Sequence, residues 1–253
     1  MALLFSWVSV IPKILKPELP VEPFLILGAL TGPTLSSVIV IAITEGKIGL
    51  GMFLRRYWQW QAGIVWWLIV LFGILIALNL VATLFLGTVI LTGFFANFGA
   101  IFPTYMMTLI LGVILGPLWE EGGWRGFALP RLQKQYGPIV GSIILGTVWA
   151  VWHVPGYLGE WMESVFPALL IYCIGFSIIA NWIYNNVGGS ILLMILLHSS
   201  SNAAVSVGAT ILPANLSVEM HAFVFSGWIP AITSVIVASV ILIMTKGTLS
   251  QKK

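Results

Sequence analysis

Seven apolar runs of membrane-crossing length, each bounded by charge, glycine or proline, dominate this sequence and leave no room for a fold that lives in water. A helix needs roughly 20 apolar residues to cross the hydrocarbon core of a bilayer. The runs extend approximately from Phe24 to Thr44, Gly63 to Phe85, Tyr105 to Trp119 and onward, Ile139 to His153, Phe166 to Tyr184, Ser190 to Val207, and Ile229 to Thr245. Only 8% of the residues are charged while 59% are apolar, a balance that could not cover a soluble domain. The expected fold class is all-α, a polytopic transmembrane bundle of about seven spanning helices, with residues 1–253 forming a single integral membrane domain. Leu3 to Ile11 is too short to span alone and reads as an interfacial helix or the remnant of an eighth span.

Lys and Arg should gather on the cytoplasmic connections. Lys47, Arg55 and Arg56 follow the first run, Arg125, Arg131 and Lys134 the third, and Lys246, Lys252 and Lys253 the seventh. The connections at 86–104, 154–165 and 208–228 hold no Lys or Arg. Nine of the eleven basic residues thus fall on one side. This side is expected to be cytoplasmic, with the C-terminus there and the cell membrane as the location. Lys13 and Lys16 fall on the other side. The net charge of +3 forms no patch, so the lipid bilayer, and not nucleic acid, is the expected partner. Arg55, Arg56, Tyr57, Trp58 and Trp60 read as an interfacial anchor. Cys173, the single cysteine, reads as a packing residue, and Met1 to Pro12 lacks the marks of a cleavable signal.

An ionisable group within a span costs about 2.5–3.5 kcal/mol at the bilayer centre even on the mildest scale, so each one needs a reason to persist. Aspartate is absent from the sequence, which excludes an aspartyl intramembrane protease. The candidates are Glu120, Glu121 and Arg125 beyond the third run, Trp149 and His153 at the end of the fourth, and His198 and Asn202 in the sixth. Glu121 and Arg125 are four apart with the acid first, the better order for an ion pair; His198 and Asn202, and Trp149 and His153, likewise share helix faces. Two adjacent carboxylates in a low dielectric resist double ionisation, which leaves Glu120, the one without a cation, as the better general base. About a turn at Tyr136, Gly137 and Pro138, Glu120 and His153 are equidistant and should lie level, about 25 Å along the helices from that turn. Such a length requires that the hairpin protrude or that the helix break at Gly122 and Gly123, and those glycines would also admit a substrate backbone. A Glu level with a His, beside a His/Asn pair, suits attack of an activated water on a carbonyl. Glu120 takes the proton, His153 holds the water, and His198 with Asn202 donate to the oxyanion.

The segments Glu120-Glu121-Gly-Gly-Trp-Arg125, Trp149-Ala-Val-Trp-His153 and His198-Ser-Ser-Ser-Asn202, in that order on successive helices, resemble the CPBP (Abi) family of intramembrane proteases. That family includes CAAX prenyl endopeptidases and bacteriocin-processing or self-immunity proteins. The resemblance covers roughly residues 105–207, the expected catalytic core, and Trp149 stands where many members have Phe. It implies an endopeptidase acting on a membrane-associated or lipidated (CAAX-like) protein or peptide through Glu120, His153, His198 and Asn202, supported by Glu121, Arg125 and Trp149. The family is often labelled metalloprotease, so Zn²⁺ held by Glu120, His153 and His198 is an alternative. A third alternative is a transporter or a module that binds a partner's transmembrane segment, with these groups relaying protons or acting as interhelical glue. The bland readings are a structural ion pair for Glu121 with Arg125, packing or interface roles for Trp149 and Trp152, helix-end roles for Asn181, Asn185 and Asn186, and a solvated His221. Ser199 to Ser201 lack a base at nucleophile-activating spacing.

Overall fold

The computed structural model describes residues 1–160, 162, 164–212, 223–224 and 226–250; His221, Lys252 and Lys253 lie outside the described residues. All regular structure among these residues is helical, and seven helices are long and apolar enough to cross a membrane: Glu22–Thr44, Ile64–Leu86, Phe98–Leu115, Pro138–Leu158, Phe166–Asn186, Ile191–Ile211 and Trp228–Thr245. The expected bundle is borne out. The short N-terminal apolar stretch forms a helix, Ala2–Leu15, packed against Glu22–Thr31, where Ser6 Oγ donates to the Gly28 carbonyl at 2.7 Å.

The sixth span, Ile191–Ile211, is the centre of the bundle: 67% of its hydrophobic window is buried, against 11% for Phe98–Leu115. Ser190 caps it by accepting from the Leu193 N–H at 3.1 Å, a favoured N-cap arrangement. Its three consecutive serines are wholly buried or nearly so and each ties to a different helix. Ser199 donates to Leu109 O at 2.6 Å, Ser200 to Leu71 O at 3.0 Å, and Ser201 bonds the Tyr172 hydroxyl at 2.8 Å. These serines are interhelical ties, as small polar residues in membrane bundles often are. Leu71 lies in a π-helical turn, Ile69–Gly73, which accounts for a carbonyl free to accept from both Ser200 and the Tyr105 hydroxyl.

Two expectations about the third segment need correction. The helix from Phe98 does not run on through Trp119 but ends at Leu115, and Gly116 breaks it. Pro117 then starts a new helix from N1, where its missing N–H costs nothing. No break occurs at Gly122 and Gly123; the chain continues there as a π-helix, Gly122–Ala128, and then as Leu129–Tyr136. Nor do those glycines leave room for a substrate. A Cβ on Gly122 would lie 1.9 Å from the Tyr57 hydroxyl, and one on Gly123 would lie 2.3 Å from the Pro33 carbonyl carbon. They instead admit the Pro33–Thr44 helix and Tyr57.

The charge-bearing connections share one face of the bundle. Exposed Arg131 pairs with Glu45, Gln133 donates to Asn185 at 3.1 Å, and Asn185 donates to Leu249 O at 3.2 Å. On the opposite face Val165 N–H donates to Ser226 O at 2.9 Å. Two basic residues depart from the expected loop set. Arg125 is fully buried, and Arg56 turns inward, donating to the carbonyls of Gly189 and Gly126, each at 2.9 Å, and to the Tyr184 hydroxyl. Of the expected anchor, Trp58 and Trp60 remain exposed, while the Tyr57 hydroxyl is buried. Burial, together with the charge of Glu121, pushes the Tyr57 phenol up against the opposing influence of Thr34 and Arg56, so the ring stays neutral.

Gly123→Ala should therefore lower stability by about 1–3 kcal/mol through overpacking, read as a lower thermal unfolding midpoint in detergent. Gly51→Ala, where an added Cβ meets nothing within 4 Å, is the control and should be neutral or gain up to about 1 kcal/mol. Equal midpoints for the two variants would contradict the close approach.

Candidate active site

The break at Gly116 positions the acid. Glu120 falls in the first turn of the helix begun by Pro117, where aligned peptide dipoles favour a negative charge. A Cβ at position 116 would lie 3.1 Å from Glu120 Oε1, so glycine there makes room for the carboxylate. The other carboxylate oxygen, Oε2, accepts the indole N–H of Trp149 at 3.1 Å. Trp149 is buried and therefore no interface residue. Besides binding Glu120, its ring packs edge-on against His198 at 5.2 Å and against His153 at 5.9 Å.

Glu121 points elsewhere. Its Oε1 accepts from Arg125 at 2.7 Å and from His198 Nδ1 at 2.9 Å, so it orients the histidine. Arg125 lies 4.6 Å from the Trp149 ring centre and 5.3 Å from that of Phe176, placing its charge against two π-faces. Ser177 Oγ is a further, longer partner at 3.4 Å. The expected ion pair is present. It is also the support for Trp149 and His198, which the i,i+4 spacing alone did not indicate.

The hydrogen bonds fix both imidazole tautomers. A carboxylate and a carbonyl can only accept, so Nδ1 of His198 donates to Glu121 and Nδ1 of His153 donates to the Trp149 carbonyl at 2.9 Å. In the neutral rings Nε2 is then an acceptor.

Two cavities meet at His153 and Met162. The larger, about 430 Å³, is bordered by His153, His198, Asn202 and Trp149 and continues between Leu78, Ala82, Leu169 and Val224. The smaller, about 290 Å³, is bordered by Glu120, His153, Trp152 and the N-terminal helix through Ser6, Trp7 and Val10. Asn202 presents an exposed side chain to the larger one. Glu120 and His153 thus border one space, and His153, His198 and Asn202 border the other. His153 borders both spaces, and Trp149 contacts Glu120, His153 and His198 at once. The wall formed by the N-terminal helix was not foreseen, since nothing in that segment's spacing signals a site. Trp7 Nε1 donates to Trp152 O at 3.1 Å, which fastens this helix beside His153.

Histidines whose Nδ1 is held by a carboxylate and a carbonyl have the supporting contacts typical of metal ligands. Among the described residues, however, no three His, Cys, Asp or Glu side chains lie close enough to hold a metal ion. Glu120, His153 and His198 as arranged do not fit a zinc site.

The fold and site define a polytopic membrane protein with an ionisable cluster buried inside its bundle. Residues 102–204 match the model of the Rce1-like family, described as type II CAAX prenyl endopeptidase Rce1-like. Over 109 residues the chain is 29% identical to CAAX prenyl protease 2 of Methanococcus maripaludis, an alignment spanning 40% of this chain and 40% of the length of that curated relative. The matched segment, residues 102–204, holds all three motifs, and over it the chain is similar to this family while spanning less than half the length of the curated relative.

Neutralising the carboxylate shared by Arg125 and His198 should be costly. Glu121→Gln is expected to destabilise the fold by about 3–5 kcal/mol, the usual effect of stranding a buried charge, seen as a lower unfolding midpoint. Combining it with Arg125→Met should restore part of the loss, and an unchanged midpoint for the single variant would rule out this supporting role.

Proposed function

We propose that the chain is an intramembrane endopeptidase that hydrolyses a peptide bond in a membrane-associated substrate with water activated by Glu120 and His153. The observation that carries this reading is the cavity bordered by both Glu120 and His153, adjoining a second cavity bordered by His153, His198 and Asn202.

Water donates to Glu120 and to His153 Nε2. As its oxygen bonds to the scissile carbonyl carbon, one proton passes to Glu120 and the C=O electron pair moves onto the oxygen. Asn202 donates to this oxyanion, and His198 does so through Nε2–H when it carries both protons, with Glu121 supplying the counter-charge. When the C–N bond breaks, the departing amine takes the proton from Glu120. Arg125 and Trp149 act as positioning residues, the first for Glu121 and the second for the Glu120 carboxylate.

The Rce1-like match and the name of the archaeal relative support a prenylated CAAX-type protein or peptide as substrate. The larger cavity, mostly apolar along its length, suits a lipidated segment. The bias of Lys47, Arg55, Arg131, Lys134 and Lys246 toward one face supports placing that face, and the C-terminus, in the cytoplasm of a cell with the chain in its plasma membrane.

The test is cleavage of a prenylated CAAX peptide by purified protein in proteoliposomes. Glu120→Gln should reduce turnover about 10²–10⁴-fold, the contribution typical of a general base, with a normal unfolding midpoint, and His198→Ala should reduce it about 10²–10³-fold with some loss of stability from the contact to Glu121. The metal chelator 1,10-phenanthroline should leave cleavage intact. Wild-type turnover by Glu120→Gln would overturn the reading, and abolition by the chelator would transfer it to a metal mechanism.

A further inference from the structure

Asn79 is a polar side chain in the most apolar of the seven spans, Ile64–Leu86, and the proposed chemistry makes no use of it. Successive helical residues turn by about 100°, so Asn79 falls about 20° from Leu86 and about 60° from Ala82, and all three border the larger cavity. Its Nδ2 donates to the Leu75 carbonyl at 2.8 Å. A carbonyl only accepts, which assigns the nitrogen and leaves the oxygen on the other arm of the amide. The residue is half-buried, and Oδ1, which has no partner among the described residues, is left open to the cavity. One N–H and one C=O of this amide are therefore unused, a costly state in an apolar site. The neighbouring polar groups on the cavity wall are accounted for: the Tyr172 hydroxyl bonds Ser201 at 2.8 Å, Ser164 bonds Tyr157 at 3.0 Å, and His153, His198 and Asn202 belong to the site.

An unused N–H beside an unused C=O is the complement of a peptide group, whereas a lipid chain offers such a pair nothing. A peptide drawn into an apolar cavity inside a bilayer loses water from its backbone and needs partners of this kind. The depth of Asn79 fits. Leu71 O accepts from Ser200, and a Cβ on Gly208 would lie 4.0 Å from Leu78 Cδ2, so the second and sixth spans run side by side in the same direction with position 79 near the level of 208. The amide, turned back toward Leu75, thus lies roughly 5–9 Å beyond Asn202 along the sixth span at about 1.5 Å per residue. That distance corresponds to about two or three residues of extended chain. We infer that Asn79 is a substrate-binding residue, whose carboxamide pairs with one backbone peptide group of the substrate two or three residues from the scissile bond and so sets the register in which that bond meets Glu120, His198 and Asn202. This inference rests on the hydrolytic reading above for the nature of the occupant.

The experiment follows cleavage of the prenylated CAAX peptide in proteoliposomes, and binding of the uncleaved peptide to Glu120→Gln protein. Asn79→Leu should raise KM roughly 5- to 30-fold, the effect of a lost hydrogen bond in an apolar site, with kcat unchanged, and should weaken binding by the same factor in the Glu120→Gln background. Thr83→Val, which removes the hydroxyl that donates to the Asn79 carbonyl away from the cavity wall, should keep the wild-type KM. Depsipeptide analogues, each with one backbone N–H replaced by an ester oxygen, locate the contact. One analogue altered two or three residues from the scissile bond should bind Glu120→Gln protein roughly 5- to 30-fold more weakly than the parent peptide, and adding Asn79→Leu should abolish that difference. The analogue series is read on protein with Asn79 intact, so it decides the matter even if Asn79→Leu folds poorly. A flat series, an unchanged KM in Asn79→Leu, or a loss confined to kcat would overturn the inference and leave the hydrolytic reading in place. Full activity of Glu120→Gln would bring down that reading while the binding differences stood, and failure of the peptide to bind would remove both.

Discussion

The carboxylate of Glu121, shared by Arg125 and His198, is the interaction on which the rest of the site depends. Taking Arg125 and Glu121 out of water costs several kcal/mol per ion, and only close, well-formed contacts recover it. The fold supplies them from three directions: a carboxylate one turn earlier on the same helix, an imidazole from the central span, and two aromatic faces from the fourth and fifth spans. Two of these contacts also fix side chains that border a cavity, His198 and Trp149. Charge compensation and site geometry are thus met by the same atoms.

Much of this arrangement was legible in the sequence. The seven apolar runs gave the spans, since length and hydropathy are nearly sufficient when the surrounding solvent is hydrocarbon. The i,i+4 spacing gave the Glu121–Arg125 pair. What spacing could not give was lateral contact between helices. Nothing local to Trp149 says that its indole reaches Glu120, and nothing local to His198 says that Glu121 is its partner.

The misreadings have a common physical origin. Length along one helix carries no information about its neighbours, and a break at Gly122 and Gly123 is one of two ways, with a protruding hairpin, to fit a helix of that length into a bilayer. In the bundle their lack of a side chain lets Pro33 and Tyr57 approach, and that packing holds the helix in place of intrinsic propensity. Arg125 and Arg56 were counted as loop charges because sequence position alone cannot distinguish a basic residue in water from one capping buried carbonyls or a carboxylate. The N-terminal helix, which carries no ionisable group near the site, offered no chemical signal; its part is to close a cavity wall with Ser6, Trp7 and Val10.

The π-helical turn at Ile69–Gly73 has a bearing on the larger cavity that goes beyond freeing the Leu71 carbonyl. Successive α-helical residues are rotated by about 100°, so a turn containing one extra residue sets the azimuth of everything beyond it. Leu78, Asn79, Ala82 and Leu86, which line that cavity, all lie beyond it. Loss of a single residue within the widened turn would restore α geometry and swing this whole stripe away from His153 toward lipid, without altering any residue that borders the cavity. The shape of the compartment is therefore encoded as a helical phase, set several residues before the lining itself.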